Sequence, residues 1–263
     1  MLLPRIIPCL LVHNSGLVKT TKFKEPKYVG DPINAVKIFN EKEVDELIVV
    51  DIDASARGNE PDYKMIENIA VECRMPLCYG GGIKNVEQAQ HIFNLGVEKI
   101  AVSSLAVENP SMVNKIAERV GNQSMVVVLD VKKKTMSNTY EIFIHNGAKN
   151  TKIDPFIFAQ DMQKAGAGEI VINSIDRDGS MSGYDFYLIN KMRENITVPM
   201  TVLGGANSLD TIGDLIKTNG IIGAAAGSLF VFKGKYKAVL INYPTPLEKH
   251  QLIKKYFIDI WNK

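Results

Sequence analysis

Residues 47–52 read LIVVDI, which is four consecutive apolar residues followed by Asp51 and Ile52. Seven other short runs rich in apolar residues recur along the chain. Runs rich in Val and Ile predict strands that are buried on both faces, pair in parallel and are covered by helices. The eight predicted strands are residues 6–12, 47–52, 77–79, 99–103, 125–131, 169–174, 200–203 and 222–226.

Stretches with helical spacing lie between most of these strands, for example residues 86–95, 110–120, 155–165 and 209–218. Eight strands that alternate with helices close naturally into a barrel, and about 250 residues is a common length for one. No Gly/Ser-rich linker divides the chain. The sequence therefore predicts an α/β protein, with residues 1–263 forming a single (β/α)8 barrel domain.

An internal repeat supports this prediction, because four features recur at a separation of 123 residues. The pairs are Glu46 and Glu169, Asp53 and Asp176, Pro76 and Pro199, and Gly81-Gly82 and Gly204-Gly205. A barrel made of two duplicated halves should also carry its functional loops twice, at the carboxyl ends of the strands.

Two glycine-rich loops have the composition of phosphate sites. Gly80-Gly81-Gly82 follows the third strand and Gly204-Gly205 follows the seventh, and the next strand in each case ends in Ser103-Ser104 or Gly227-Ser228. Glycine amides beside a helix N-terminus form a concave donor site for a phosphate dianion. A pair of such loops predicts a ligand with two phosphates, and the alternative is that the glycines only make tight turns.

The composition argues against several other classes of protein. With 46% hydrophobic and 23% charged residues and a net charge of +2, neither disorder nor a nucleic-acid partner is expected. The lysines at 19, 22, 24 and 27 and at 132–134 are interpreted as solvated loops. Three cysteines without metal-ligand spacing predict free thiols, no metal and no cofactor, and no apolar run is long enough for a membrane span. A cytoplasmic protein without a signal peptide is expected.

Several motifs, in order, resemble one family over residues 5 to about 232. They are RIIPC at 5–9, GDP at 30–32, DEL at 45–47, YGGG at 79–82, IDRDG at 175–179, GYD at 183–185 and GGA at 204–206. Together they are similar to the cyclase subunit of imidazole glycerol phosphate synthase. The resemblance implies a glutaminase partner at the bottom of the barrel, which sends ammonia through the barrel to a bisphosphate ribonucleotide intermediate. It also adds Asp176 and Gly179 to the predicted phosphate-binding residues.

Strand alternation indicates which side chains face the inside of the barrel. The first, second, fourth and sixth strands each begin with a charged residue on one face and continue with apolar residues on that face. The four charged residues are Arg5, Glu46, Lys99 and Glu169. They match the family's ammonia gate, below an apolar bore that contains Ala101 and Val171. The alternative is a ring of ion pairs that serves stability alone.

The residues at the carboxyl ends of the strands, which form the mouth of the predicted barrel, depart from the family's pattern. The family uses an aspartate at the end of the first strand and another at the end of the fifth as general acid and base, and this chain keeps Asp130 but has Leu11 at the first position. Leucine cannot transfer a proton. Leu203, Asn173 and Ser103 replace a small hydroxyl residue, a threonine and an asparagine of the family. Changes that cluster at the mouth favour a repurposed subunit.

Other residues are weaker candidates. His13 follows Leu11 closely and could carry a proton in its place. Lys19, in a loop that begins at Gly16, matches a mobile-loop lysine of the family and could bind phosphate. Cys9 is interpreted as a small core residue, and Asp51 with Asp53 lacks the further ligands that a metal site needs.

Three functions remain open. The first is a divergent paralogue of the surface-polysaccharide type, which pairs with a glutaminase and supplies nitrogen to a separate sugar amidotransferase. The second is an authentic histidine-pathway cyclase, in which Asp130 acts alone or with His13. The third is a non-catalytic subunit that docks and activates the glutaminase.

Overall fold

The computed structural model describes residues 2–135 and 137–259; the predicted domain also includes residue 1, residue 136 and residues 260–263, which lie outside the described residues. The strands are β1 Arg5–His13, β2 Gly16–Thr21, β3 Lys24–Gly30, β4 Leu47–Asp51, β5 Leu77–Gly80, β6 Lys99–Val102, β7 Met125–Lys133, β8 Tyr140–Ile144, β9 Lys149–Asn150, β10 Glu169–Ser174, β11 Met200–Leu203, β12 Gly223–Ala226, β13 Phe232–Lys233 and β14 Ala238–Val239.

Eight of these strands form a closed barrel, in the order β1, β4, β5, β6, β7, β10, β11 and β12, with β12 paired again to β1. All eight neighbouring pairs are parallel. Each predicted strand coincides with a barrel strand to within one or two residues at either end. The predicted (β/α)8 fold is confirmed.

Helices cover the outside of the barrel. They are α1 Pro32–Glu41, α2 Ala54–Arg57, α3 Tyr63–Glu72, α4 Val86–Asn94, α5 Ser104–Glu108, α6 Pro110–Val120, α7 Pro155–Lys164, α8 Phe186–Arg193, α9 Leu209–Asn219, α10 Ser228–Val231 and α11 Pro246–Ile253. Local sequence explains where α1 and α7 begin. The side chain of Asp31 or Asp154 caps the helix, and a proline follows at the first helical position. No helix in residues 2–135 and 137–259 combines the length and apolarity that crossing a membrane requires.

Two cores result from this arrangement. The larger core lies between the strands and the helices, and it contains Ile6, Leu10, Phe39 and Ile100. The smaller core fills the inside of the barrel, and its members are Ile7, Cys9, Ile48, Cys78, Ala101, Val126, Val171 and Ala225. The side chains that strand alternation placed on the inner face therefore lie inside the barrel.

The repeat is visible in backbone contacts as well as in the sequence. Gly81 packs so closely on the carbonyl of Asp51 that a Cβ would lie 2.5 Å from it, and Gly204 meets the carbonyl of Ser174 in the same way at 2.8 Å. Both glycines have positive φ, +123° and +96°, which other residues rarely adopt. Asp51 and Ser174 are separated by the same 123 residues as the two glycines, so the halves repeat in structure as well.

The structure corrects the interpretation of the lysine-rich segments as loops. Lys19 lies in β2, Lys24 and Lys27 lie in β3, and β2 and β3 form an antiparallel hairpin beside the barrel mouth. Lys132 and Lys133 belong to the end of β7, which continues past the barrel to pair with β8. The turn between β1 and β2 uses Asn14 and Ser15, which both have positive φ although neither is a glycine.

Candidate active site at the barrel mouth

A closed ring of ion pairs lies at the amino-terminal end of the barrel. Glu46 contacts Arg5 and Lys99, and Glu169 contacts the same two cations, with Arg5 Nη2 to Glu169 Oε1 at 2.7 Å and Lys99 Nζ to Glu46 and Glu169 oxygens at 2.8 Å. Both carboxylates are buried. Although burial opposes ionisation, Arg5 and Lys99 together lower the pKa of Glu169 to about 2.

Thr201 is a further member of this ring that the sequence did not reveal. Its hydroxyl, which is fully buried, donates to Glu169 Oε1 at 2.6 Å. Gly223 on the neighbouring strand leaves room for it, because a Cβ there would lie 1.9 Å from the Thr201 oxygen. A polar residue at an inward position of β11 is the signal that could have identified it.

Above the ring, the apolar inner core extends to a cavity at the carboxyl ends of the strands. Leu11, Val50, Val128 and Leu203 border the inner core at this end, and all four also line the cavity. Both glycine loops face the cavity, together with the four polar or small positions predicted with them: Ser103, Ser104, Gly227 and Ser228. The two glycine loops therefore line one cavity, and apolar side chains of the inner core form the bottom of that cavity.

Asp130 lies at this mouth and is held by two donors. Ser103 Oγ donates to its Oδ2 at 3.2 Å, and Asn173 Nδ2 donates to its Oδ1 at 2.9 Å. Burial raises the pKa of Asp130 to about 6, and these hydrogen bonds limit the increase. A carboxyl group with this pKa exchanges protons readily near neutral pH.

The hairpin of β2 and β3 is attached to the loop that follows β10. Thr20 Oγ1 donates to Asp178 Oδ2 at 2.7 Å, and the backbone N–H of Phe23 donates to the same oxygen at 3.2 Å. Lys19 is buried below this attachment, where its ammonium group donates to the carbonyl of Cys9 and lies against Gly227. Burial lowers the pKa of Lys19. The lysine therefore adjoins the second glycine loop.

Comparison with known families gives one decisive match. The family described as "Histidine biosynthesis protein" matches residues 5–237 of the chain. The chain belongs to the histidine biosynthesis protein family. The matched range begins at the Arg5 of the ion-pair ring and includes both glycine loops, so the match covers the whole barrel and its mouth.

Individual relatives within the family are similar over nearly their full length. A Vibrio vulnificus protein, named provisionally as imidazole glycerol phosphate synthase subunit hisF3, is 58% identical over 254 residues, covering 97% of this chain and 98% of that protein. A Leptospira interrogans protein, with a provisional name as subunit HisF, is 59% identical and covers 96% and 99%. The subunit HisF of Clostridium botulinum is 36% identical and covers 89% and 92%. These relatives confirm the resemblance to the cyclase-subunit family.

The structure brings most of the predicted site residues of this family member to one cavity. Asp130, Lys19 and Gly179 line it, as do the residues predicted from the two glycine loops: Gly81, Gly82, Ser103, Ser104, Gly204, Gly205, Gly227 and Ser228. Asp178 also lines it, although the sequence analysis did not select this residue. Its position two residues after Asp176 in the IDRDG motif was the available signal.

Two of the predicted site residues, Asp176 and His13, do not line this cavity. Asp176 is outside the cavity lining, and its carboxylate accepts from the backbone N–H of Lys133 at 2.9 Å, which connects the loop after β10 to the β7 extension. His13 is the last residue of β1 and is also outside the cavity lining. Its Nδ1 contacts Asp53 Oδ1 at 2.8 Å, and its Nε2 contacts Asn14 Nδ2 at 2.9 Å. Both ring nitrogens are thus engaged in the β1–β2 turn.

Asp51 stabilises a turn at the end of β4. Its Oδ1 accepts from the backbone N–H groups of Asp53 and Ala54, at 2.9 and 3.1 Å. In the part of the chain that the structure describes, no group of three or more His, Cys, Asp or Glu side chains is arranged to hold a metal ion. Cys9 is buried in the inner core, and burial raises its thiol pKa to about 11, which disfavours the thiolate.

A negative charge at either glycine loop tests the phosphate prediction. Ser228→Asp and Ser104→Asp should each weaken the binding of inorganic phosphate at least about tenfold, because like charges a few ångströms apart repel strongly at partly buried sites. The serines are preferable to Gly205, since a Cβ there would lie 2.2 Å from the carbonyl of Gly183 and would disturb the backbone. Isothermal calorimetry measures the binding.

The matched control is Ser111→Asp, at an exposed position on α6. It adds the same charge away from the loops and should leave phosphate affinity unchanged. If the unmodified protein binds no phosphate at millimolar concentration, the glycine loops are only turns, and the prediction of a bisphosphate ligand fails.

Proposed function

We propose that the chain pairs with a glutaminase subunit, receives ammonia through the barrel, and supplies this nitrogen to a separate sugar amidotransferase of surface-polysaccharide biosynthesis. The observation that carries the proposal is the contrast between the two ends of the barrel. An ion-pair ring and an apolar inner core at one end are compatible with the gate and conduit that the family resemblance implies, whereas the mouth at the other end has Leu11 where a proton-transferring aspartate is expected.

The bore is chemically suited to ammonia. Its wall consists of aliphatic side chains and two protonated thiols, Cys9 and Cys78, whose pKa values are raised by burial. Neutral ammonia passes between such apolar side chains at a much lower free-energy cost than an ammonium ion, because the ion would lose its hydration. Four ion pairs link the charged side chains at the amino-terminal end into a continuous ring, through which ammonia would enter the barrel.

The amino-terminal face of the barrel carries exposed apolar side chains that suit a docked subunit. Leu2 is 76% exposed, Leu3 45% and Ile221 48%. The backbone N–H of Arg5 donates to the carbonyl of Ile222, so the chain segments that carry these residues meet at this end of the barrel. Apolar groups of this kind beside the ring support a glutaminase interface at this face.

A second candidate function is the histidine-pathway cyclase itself, and Asp130 favours it. Its carboxyl group lies at the mouth with a pKa of about 6, so one of the two proton-transferring groups of the family's reaction remains. The relatives with provisional names as synthase subunits are compatible with either function. Turnover with the cyclase substrate separates the two.

Narrowing the bore tests the conduit. Ala101→Trp or Val171→Trp, at buried positions inside the barrel, should greatly reduce the transfer of glutamine-derived nitrogen to an acceptor while glutamine hydrolysis by the docked partner continues. Free ammonia at high concentration should restore transfer, because it enters at the mouth. Isotope-labelled glutamine measures the transfer, and a thermal melt is needed because overpacking costs typically about 1–3 kcal/mol.

Ile157→Trp is the control, because this residue is 63% exposed on α7 and lies outside the bore. It should leave both hydrolysis and transfer unchanged. A folded, partner-bound Ala101→Trp variant that still transfers glutamine nitrogen at the original rate would show that ammonia does not use the barrel. The chain would then be a docking and activating subunit of the glutaminase.

A further inference from the structure

We infer that the carboxylate of Asp130 and the amide oxygen of Asn173 form a binding site for ammonium at the exit of the bore. The inference rests on the proposed function, because it specifies where ammonia is held once it has crossed the barrel. It concerns only this chain's own residues and can be tested without the glutaminase.

The first observation is an acceptor without a donor. Asn173 is only 6% exposed, and its Nδ2 donates to Asp130 Oδ1 at 2.9 Å. Its Oδ1 is buried, and no donor within residues 2–135 and 137–259 reaches it. A carboxylate accepts hydrogen bonds and does not donate them, so Asp130 fixes the orientation of this amide. A buried acceptor of this kind is costly unless a ligand satisfies it.

The second observation is a half-buried carboxylate without an ion-pair partner, in a cavity that Lys19 and Asp178 also line. Within the part of the chain that the structure describes, Asp130 takes part in no ion pair. Glu169, at the other end of the inner core, is more deeply buried but contacts Arg5 and Lys99. The pKa of Glu169 is about 2, whereas that of Asp130 is about 6. A small cation beside Asp130 would favour its charged form as the two cations do for Glu169.

The hydrogen-bonding capacity of the site selects the ligand. The hydroxyl of Ser103 and one amide hydrogen of Asn173 already point at Asp130, so both Asp130 and the amide oxygen of Asn173 can offer a ligand only oxygen acceptors. Ammonium carries four donors and no acceptor, and its charge complements the carboxylate. A phosphate dianion has the opposite properties and is repelled, which agrees with its predicted place in the glycine loops.

The position of the site explains how it is filled. Asn173 and Asp130 are paired neighbours on β10 and β7. Val171 and Val128 lie two residues earlier on the same faces of these strands and belong to the bore wall. Ammonia that leaves the bore therefore meets these acceptors first. When the Asp130 carboxyl is protonated, its proton passes to the ammonia nitrogen, which gives the carboxylate and the ammonium ion, and the reverse transfer releases ammonia.

The test is a titration of Asp130 in protein labelled with carbon-13 at the aspartate carboxyls. Ammonium chloride at about 0.1 M should lower the Asp130 pKa by about one unit or more, because an adjacent opposite charge has an effect of this size. Choline chloride at the same ionic strength lacks N–H donors and should leave the pKa unchanged. An equal effect of both salts, or of neither, would overturn the inference.

Two variants separate the acceptor from the donor. Asn173→Leu removes the amide oxygen at similar volume and should weaken the ammonium effect about tenfold in apparent affinity. Ser103→Ala removes a donor to Asp130 but no free acceptor, so the response to ammonium should persist from a higher starting pKa. A full ammonium response in a folded Asn173→Leu protein would contradict the assignment of Asn173.

A crystal of the unmodified protein soaked in thallium(I), an ion of ammonium's size with strong anomalous scattering, keeps the inference testable if Asn173→Leu does not fold. An anomalous peak in contact with Asp130 and Asn173 Oδ1 is expected. If other thallium sites in the same crystal are fully occupied and this peak is missing, the inference is overturned. The outcome is independent of the conduit test. Nitrogen transfer that is blocked by Ala101→Trp without a thallium peak would leave the proposed function standing and remove only this site.

Discussion

Supplied with free ammonia and the ribonucleotide intermediate that the family resemblance implies, the protein should turn over about 10²- to 10⁴-fold more slowly than a relative with aspartates at both mouth positions. Leu11 lines the cavity and has no group that can transfer a proton. Asp130, at the other mouth position, provides a titratable carboxyl with a pKa of about 6. Steady-state formation of the imidazole product measures the rate.

Leu11→Asp should recover part of the lost turnover with ammonia and the ribonucleotide intermediate. Leu11→Asn is its matched control. The two substituted side chains have nearly the same size and polarity, but only aspartate can accept and return a proton. Recovery by both variants would mean that Leu11 acts by steric obstruction. Turnover of the unmodified protein at ordinary enzymatic rates would restore the histidine-pathway cyclase as its function.

The donors around Asp130 give a reason to expect that its site still operates. The resemblance places an asparagine at position 103 and a threonine at position 173, whereas this chain has Ser103 and Asn173. Both nevertheless donate to Asp130, one to each oxygen. The types of side chain at the two positions differ from the family's pattern, yet both oxygens of the carboxylate have a donor in this chain. A carboxylate held in this way keeps a defined position at the mouth.

Sequence periodicity predicted the barrel and the ring because both depend on local patterns. Alternation along a strand determines which side chains face inward, so the sequence alone was enough to assign Arg5 and Glu169 to one ring. The separation of 123 residues similarly paired Gly81 with Gly204, and their shared backbone contacts agree with it.

The remaining features depend on contacts between distant segments. The attachment of Thr20 to Asp178 joins residues 158 positions apart, and no local pattern indicates that the chain after Gly16 folds back as a hairpin. The choice between Asp176 and Asp178 likewise depends on how the loop after β10 turns. His13 was selected because it is close to Leu11 in sequence, but its side chain is bound to Asp53 instead.

Glu169→Ala should lower the free energy of unfolding by about 3–5 kcal/mol, the range found when one partner of a buried ion pair is removed. Arg5 and Lys99 would then share Glu46 alone, and the buried Thr201 hydroxyl would lose the oxygen to which it donates. Urea denaturation measures the change. Glu67→Ala is the control, because Glu67 pairs with Lys64 on the solvated surface of α3 and should contribute little to stability.

The pH dependence of stability gives this prediction a distinct signature. The pKa of Glu169 is about 2 in the folded protein and 4.5 for a solvated glutamate of the unfolded chain, so its contribution is fully present above pH 4.5 and is lost as the pH falls toward 2. A shift of this size corresponds to about 3 kcal/mol. The unmodified protein should therefore lose stability more steeply across this interval than Glu169→Ala, and the two curves should converge at its acidic end. Parallel curves would mean that Glu169 is not ionised against Arg5 and Lys99, and the ring could then act neither as a stabilising ion-pair network nor as a charged gate below the bore.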